Sequence, residues 1–248
     1  MLNISITAET VGWLWGIPIS NGLLTTWLAM ATLILLSVLA TRRLTLVPGR
    51  LQLTAELVVG GLSSVFTSVM HEHTKRFFGL LATLFLFILA LNWSGLIPGV
   101  GTIGFTHLKD GHEIFAPLFR AGTADLNTTL ALALIVVLII QYAGFQTLGL
   151  SYLKKFINLS GPINFFVGIL ELVSEVSKVI SFAFRLFGNI FAGEVLLTVV
   201  AFLIPLFVPI PFLGLELFVG IIQALVFSML TAVFLLLATT GHEGQGAH

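Results

Sequence analysis

Five long stretches of this chain contain no Asp, Glu, Lys or Arg: residues 10–41, 77–106, 126–153, 195–215 and 217–242. A helix needs about 20 apolar residues to cross a hydrocarbon layer of about 30 Å. Each stretch is long enough, and the strongest spans within them are 23–41, 77–97 and 126–147. Composition agrees. The 248 residues are 57% hydrophobic and 9% charged, against roughly 45–50% and 25% in soluble domains. Too few polar side chains exist to clothe a water-soluble surface. The fold class expected is an all-α integral membrane protein forming a single membrane domain over 1–248. Residues 3–19 lack a basic start and a small-residue cleavage site, so they are not read as a signal peptide.

Lys+Arg 11 against Asp+Glu 11 gives no net charge, so bulk electrostatics suggest no nucleic-acid partner. With Cys 0, disulfides, thiol catalysis and thiolate metal sites are excluded. No phosphate-binding loop, catalytic triad or metal cluster is visible, so neither a cofactor nor a metal is expected. His71 and His73 lack a third ligand and read as solvated histidines.

Basic residues orient the spans. Arg42, Arg43 and Arg50 follow the first, Lys75 and Arg76 precede the second, and Lys154 and Lys155 follow the third. The connection 98–125 holds only Lys109 and Arg120, beside His107, Asp110, His112 and Glu113. A multi-pass topology with the N-terminus outside places the first group on the cytoplasmic side and makes 98–125 an outer loop. The segment 51–76 differs: Leu51, Ala55, Val58, Leu62, Val65, Phe66 and Val69 recur at helical spacing, with Gln52, Glu56, Ser63 and Thr67 largely between them. That pattern predicts an amphipathic helix lying in the inner interface.

Two further helices are expected at 162–203 and 212–239, separated by an outer turn carrying Pro205, Pro209 and Pro211. At 1.5 Å per residue they measure about 60 and 40 Å, too long for a perpendicular crossing. Either they break, at Gly188 or Gly193, or they tilt steeply, which is the reading adopted. The first carries Glu171, Glu175, Lys178, Ser181, Arg185, Asn189 and Glu194. A charge at mid-bilayer costs about 3 to more than 10 kcal/mol, so each is a functional suspect. Glu171, Lys178, Arg185 and Asn189 fall within roughly 80° of one another, whereas Glu194 points about 180° from Arg185. In the last helix Glu216 and Gln223 share a face.

Several of these residues have two readings. Glu171, Glu175 and Lys178 either snorkel to the inner surface or line a path from it. Glu194 and Glu216 are either structural acids or path residues, and Asn189 and Gln223 either ordinary interhelical donors or members of the same path. Asp125 is explained by capping the helix that follows, with lining a water path as a second role. Arg185 is harder to dismiss. No acid lies three or four residues from it, and a guanidinium does not shed its proton. Its counter-ion must come from another segment or another chain.

The run Ser181-Phe182-Ala183-Phe184-Arg185-Leu186-Phe187-Gly188-Asn189-Ile190-Phe191-Ala192-Gly193-Glu194 resembles the signature of the subunit a family of F-type ATP synthases. Thr123-Ala124-Asp125-Leu126-Asn127-Thr128-Thr129 and Gly220-Ile221-Ile222-Gln223-Ala224-Leu225-Val226-Phe227 agree with it, and the likeness extends over essentially the whole chain. The resemblance implies two long tilted helices against a ring of c subunits, b-type peripheral stalk subunits as further partners, and no catalysis by this chain alone. It implies residence in an energy-coupling membrane: a bacterial plasma membrane first, a thylakoid membrane second.

The family's essential arginine maps onto Arg185, facing the ring carboxyl. Glu194, Glu216, Gln223 and Asn189 map onto an outer proton path, Asp125 and Asn127 would line the same path, and Glu171, Glu175, Lys178 and Ser181 would line an inner one. Gly188, Ala192 and Gly193 are small enough to admit a ring helix closely. The alternatives carried forward are a sodium-coupled version of the same subunit, a self-contained secondary transporter and a structural membrane anchor. A transporter of that kind usually shows inverted repeats, and none is found in the sequence.

Overall fold

A computed structural model describes residues 9–14, 16–42, 44–97, 99–100, 103–109, 112–156, 161–204 and 207–240. Arg43, Asp110 and Pro205, and the side chains of His107, Lys109, His112, Glu113 and Lys154, lie outside what is described. Six helices dominate: α1 (Asn21–Thr41), α2 (Arg50–Met70), α3 (Thr74–Ser94), α4 (Leu126–Leu148), α5 (Pro162–Leu203) and α6 (Pro209–Thr239). Five helical stretches, with α2 and α3 taken as one, are long and apolar enough to cross a membrane. The protein is an all-α integral membrane protein.

The core forms where α3, α4 and α6 meet, with the middle of α5 against them. Leu81, Ile88, Val136, Leu186, Phe227 and Leu235 are among its fully buried side chains, together with Phe66 and Met70 of α2. Phe182 of α5 packs edge-on or tilted against Phe227 and Phe234 of α6. Alanines 133, 183, 224 and 232 are wholly buried, because small residues let helix backbones approach where lipid supplies no hydrophobic drive. By contrast α1 buries only Asn21, Gly22, Thr25 and Ala29 near its start. Its outward Leu28, Ile34, Leu35 and Leu39 are about half exposed, a surface tolerable only against lipid or another subunit.

Helices α3 and α4 each pack against α6 and meet each other through their ends. At one end Arg76, in the first turn of α3, donates to Gln146 Oε1 at 2.8 Å and Thr147 Oγ1 at 3.3 Å in the last turn of α4. Lys155 follows α4 on a short 3-10 stretch, Gly149–Lys155. This is the basic end of the molecule. At the other end Asn92 Nδ2 donates to the Gly220 carbonyl at 2.9 Å, and Thr123 Oγ1 donates to Asn92 Oδ1 at 2.9 Å. These bonds tie the end of α3 to α6 and to the turn before α4.

Several local expectations are corrected. The connection 98–125 is not featureless: Gly104–Lys109 (β3) pairs antiparallel with His112–Pro117 (β4). A second hairpin, Thr10–Leu14 (β1) with Ile17–Ser20 (β2), precedes α1, turning at Gly16 with φ +84°, where a glycine adopts the left-handed region without penalty. Asn21 Nδ2 donates to the Pro117 carbonyl at 3.2 Å, tying the first residue of α1 to the end of β4. Helix α3 starts at Thr74 rather than 77, after a 3-10 turn in which His71 has φ 48°.

On α2 the buried stripe is Gln52, Leu62, Phe66 and Met70, while Leu51 and Val58 are exposed. Gln52 is buried because it closes the α1–α2 turn, accepting from Thr45 N–H at 3.2 Å and donating to the Thr45 carbonyl at 3.0 Å. Helix α6 begins at Pro209, not 212, so Pro209 and Pro211 occupy its first turn. Proline is accepted there because the first amides of a helix have no intrahelical acceptor. Neither Gly188 nor Gly193 breaks α5, which continues for 42 residues, about 63 Å of helix.

Candidate functional site: two polar cavities on opposite ends of helix α5

Polar residues in a helix this apolar persist only where protein, water or a partner meets them. On α5 they divide into two groups. Toward the basic end, a groove of about 310 Å³ is lined by Ser174, Ser177, Lys178, Ser181 and Arg185 from α5, and by Phe234 from α6. The serines at 174, 177 and 181 recur at three and four residues, so they share one helix face. Lys178 Nζ lies 2.7 Å from Glu175 Oε1 and 4.8 Å from the centre of the Phe234 ring. Lys155 pairs with Glu171 at 2.5 Å and reaches Glu175 at 3.7 Å. Two lysines and two glutamates thus form one balanced network. Beside it Tyr152 donates to Gln141 Oε1 at 2.8 Å.

Arg185 closes the groove. Its Nη2 donates to Ser181 Oγ at 3.3 Å, and among the described residues no carboxylate pairs with it. The residue is exposed on the outer face of α5, next to Phe184, itself 55% exposed. An unmatched guanidinium on an apolar surface is poised for an anion from outside this chain.

At the other end lies a cavity of about 230 Å³, walled by Asn92 and Gly95 of the α3 end, Arg120 of the connection before α4, Glu194 and Thr198 of α5, and Glu216 of α6. Arg120 is buried, at 8% exposure. Its Nε donates to both carboxylate oxygens of Glu194 at 3.1 Å, and its Nη2 donates to Oε2 at 3.1 Å. The guanidinium also stands over the Phe191 ring, 5.8 Å from its centre. Glu216 is buried with no hydrogen bond or ion pair among the described residues. Its carboxylate lies against Gly193, where a Cβ would collide with both oxygens.

No residue belongs to both walls. Between them Asn189 Nδ2 donates to Gln223 Oε1 at 2.6 Å, and Leu186 and Phe187 are buried. Gln223 Nε2 is buried and has no partner among the described residues.

Of the residues singled out in the sequence, Lys178, Ser181 and Arg185 share the groove, with Glu171 and Glu175 joined to it through the lysines. Glu194 and Glu216 share the cavity, and Asn189 and Gln223 meet between the two. Asp125 and Asn127 line neither. Asp125 caps α4, accepting from Asn127 N–H at 2.9 Å and from Ser20 Oγ at 3.2 Å. Asn127 is exposed. Arg120, Asn92, Ser174 and Ser177 were not singled out as site residues. Arg120 could have been, because Glu194 faces away from Arg185 and the outer connection offers only Lys109 and Arg120 as cations.

Fold and site together define a polytopic helical membrane protein with two separate polar recesses, one of them closed by an arginine that has no carboxylate partner among the described residues. A family described as ATP synthase A chain matches residues 23–236. Among relatives, the ATP synthase subunit a 3 of Pelobacter propionicus is 38% identical over 213 residues, 85% of this chain and 83% of its own. The ATP synthase subunit a proteins of Geotalea daltonii and Citrifermentans bemidjiense show the same identity and coverage. The chain belongs to the ATP synthase A chain family, the membrane-sector subunit a of F-type ATP synthase, and works as a component of that complex.

Proposed function

We propose that the chain is the proton-translocating stator subunit of its ATP synthase, with the 230 Å³ cavity as the outer half-channel and the 310 Å³ groove as the inner one. The observation that carries this reading is the separation of two polar recesses along one helix, with Arg185, unmatched by any carboxylate among the described residues, closing the groove on the side toward the cavity. A continuous pore would short-circuit the membrane. Two offset recesses force an ion to travel between them on something else.

That carrier is the ring of c subunits, each bearing a carboxyl group. A neutral carboxylic acid can pass through lipid, and a carboxylate scarcely can. Protons reach the ring through the cavity holding Glu194 and Glu216, with Gln223 and Asn189 at its inner end. They leave through the groove of Ser181, Lys178, Glu175 and Glu171. Arg185 stands beside the passing carboxyl, favours its ionised form and so drives proton release. Because the guanidinium cannot deprotonate, it also blocks a direct hop between recesses. The drive is about 2.3 kcal/mol per charge per 100 mV.

In this arrangement α5 and α6 lie steeply tilted against the ring, since about 63 Å of unbroken α5 cannot stand upright in 30 Å of hydrocarbon. The basic end, with Arg42, Arg76 and Lys155, faces the cytoplasm, α2 lies along the inner interface, and the N-terminus is outside. The b-type stalk subunits hold the stator, and the membrane is the bacterial plasma membrane. ATP chemistry belongs to other chains.

The test uses the complete complex in sealed vesicles. Arg185→Ala assembles but pumps no protons on ATP addition, and Arg185→Lys pumps little, because an ammonium lacks the planar fork. ATP-driven pumping at the wild-type rate by an assembled Arg185→Ala complex overturns the assignment.

A further inference from the structure

We propose that Arg120 is a positioning residue of the outer half-channel: it binds Glu194 as a fixed carboxylate and so leaves Glu216 as the carboxyl that carries the proton. This rests on the proton-path reading above, but it assigns different work to two glutamates that the sequence presents as equivalent.

Geometry separates them. Arg120 holds Glu194 through three contacts of 3.1 Å engaging both carboxylate oxygens. Such multidentate, charge-assisted pairs are the strong ones. The guanidinium is itself fixed: it is buried, it stands over Phe191, and the Arg120 backbone N–H donates to Thr25 Oγ1 at 3.3 Å. Glu216 has nothing comparable. The groups that face the cavity with it are Arg120 and Glu194, the neutral Asn92 from α3 and Thr198 from α5, and Gly193 beneath it.

Charge counting then decides the roles. The cavity holds one permanent cation and two carboxyls; Arg120 and Glu216 are buried while the Glu194 side chain is 39% exposed, and buried charge is tolerated only when balanced. One carboxylate is balanced by Arg120, so the second carboxyl is neutral and holds one exchangeable proton. Glu194 is committed, so that proton sits on Glu216. Glu216 also has the way onward, since Gln223 lies two turns along the same face of α6 and is bonded to Asn189 of α5. The transfer is balanced: Glu216 gives its proton toward the ring carboxylate and takes another from water in the cavity. Arg120 neither donates nor accepts a proton in the cycle.

The experiment is ATP-driven proton pumping by the complete complex in proteoliposomes, with subunit content checked for every variant. Arg120→Gln leaves two carboxyls without a cation, and Glu194→Gln leaves Arg120 free to capture Glu216, so each single variant slows pumping about tenfold or more. The double variant Arg120→Gln/Glu194→Gln removes both charges, frees Glu216 again and recovers to within about fivefold of wild type. Glu216→Gln falls by about a hundredfold in either background.

If Arg120→Gln fails to assemble, the exchange Arg120→Glu/Glu194→Arg restores the pair and is expected to pump. A double or exchanged variant that assembles yet pumps no faster than the single ones overturns the proposal, as does rapid pumping by Glu216→Gln. Arg185→Ala, measured alongside, separates the two readings. If it is dead while the Arg120 cycle shows no recovery, only the present inference fails. If it pumps, the stator assignment itself fails.

Discussion

Gly193 faces the Glu216 carboxylate so closely that an alanine there cannot be accommodated unchanged: its Cβ would overlap both oxygens. Two responses are open, and they differ in cost. Helices α5 and α6 could move apart, which would strain the 2.6 Å bond between Asn189 and Gln223 about one turn away and cost about 1–3 kcal/mol, as for any overpacked core. Alternatively the carboxylate, the far end of a flexible side chain, could swing into the neighbouring 230 Å³ cavity. An off-rotamer glutamate costs about 0.5–1.5 kcal/mol, so the second response wins.

Gly193→Ala should therefore leave the complex nearly as stable as wild type while displacing Glu216 from its working position. If that displacement must be reversed for each proton passed, the same 0.5–1.5 kcal/mol appears in the barrier, a slowing of about twofold to twelvefold. The assay pairs ATP-driven pumping in vesicles with the temperature at which the detergent-solubilised complex releases this subunit. Wild-type pumping by Gly193→Ala would refute the reasoning, because the position of the Glu216 carboxylate would then be irrelevant to flux. A fall in release temperature with no change in rate would equally point to helix separation instead.

Asp125→Asn keeps an oxygen able to cap α4 and should match wild type in stability and pumping. Asp125→Ala should lose about 0.5–2 kcal/mol of stability, seen as a lower release temperature, with pumping within about twofold of wild type. A large pumping loss in the asparagine variant would move Asp125 from the cap into the proton path. Asn92→Ala leaves the buried Thr123 hydroxyl without its acceptor and removes the bond to the Gly220 carbonyl, which keeps its own intrahelical donor, and should cost about 1–3 kcal/mol, chiefly for the orphaned hydroxyl. Thermal release of the subunit should occur at clearly lower temperature, and an unchanged value would show that this link does not hold α3 to α6.

Membrane character and most helices were legible because lipid imposes a simple constraint: an apolar run long enough to cross must bond its own backbone. The polar stripe of α5 was legible for the same reason, since a charge among so many leucines and phenylalanines stands out. What escaped was decided by tertiary partners. Gln52 was assigned to the wet side of α2 by periodicity, yet it is buried because the Thr45 backbone needs both a donor and an acceptor there. Prolines 209 and 211 read as a turn, yet they open α6, because the first turn of a helix tolerates them. Arg120 was counted as one loop charge among several. Its role depends on a residue 74 positions away, which hydropathy along the chain cannot register.

The two arginines near α5 show why local sequence alone could not rank the polar residues. Both are permanent cations in an apolar protein, and neither has an acid within helical reach in sequence. Arg120 lies inside the fold, and the chain supplies its counter-ion, because an unpaired charge there would cost several kcal/mol. Arg185 lies on the outer face of α5, and among the described residues its one hydrogen-bond partner is a serine hydroxyl. Had Arg185 been given a carboxylate of its own, it would be held as firmly as Arg120 and, in the proposed mechanism, would have nothing to offer a passing ring. Had Arg120 been left unpaired, the same proposal has it capture Glu216 and stop the outer path. The same side chain is thus fixed in one place and left available in the other, and the difference lies in whether the fold brings a glutamate to meet it.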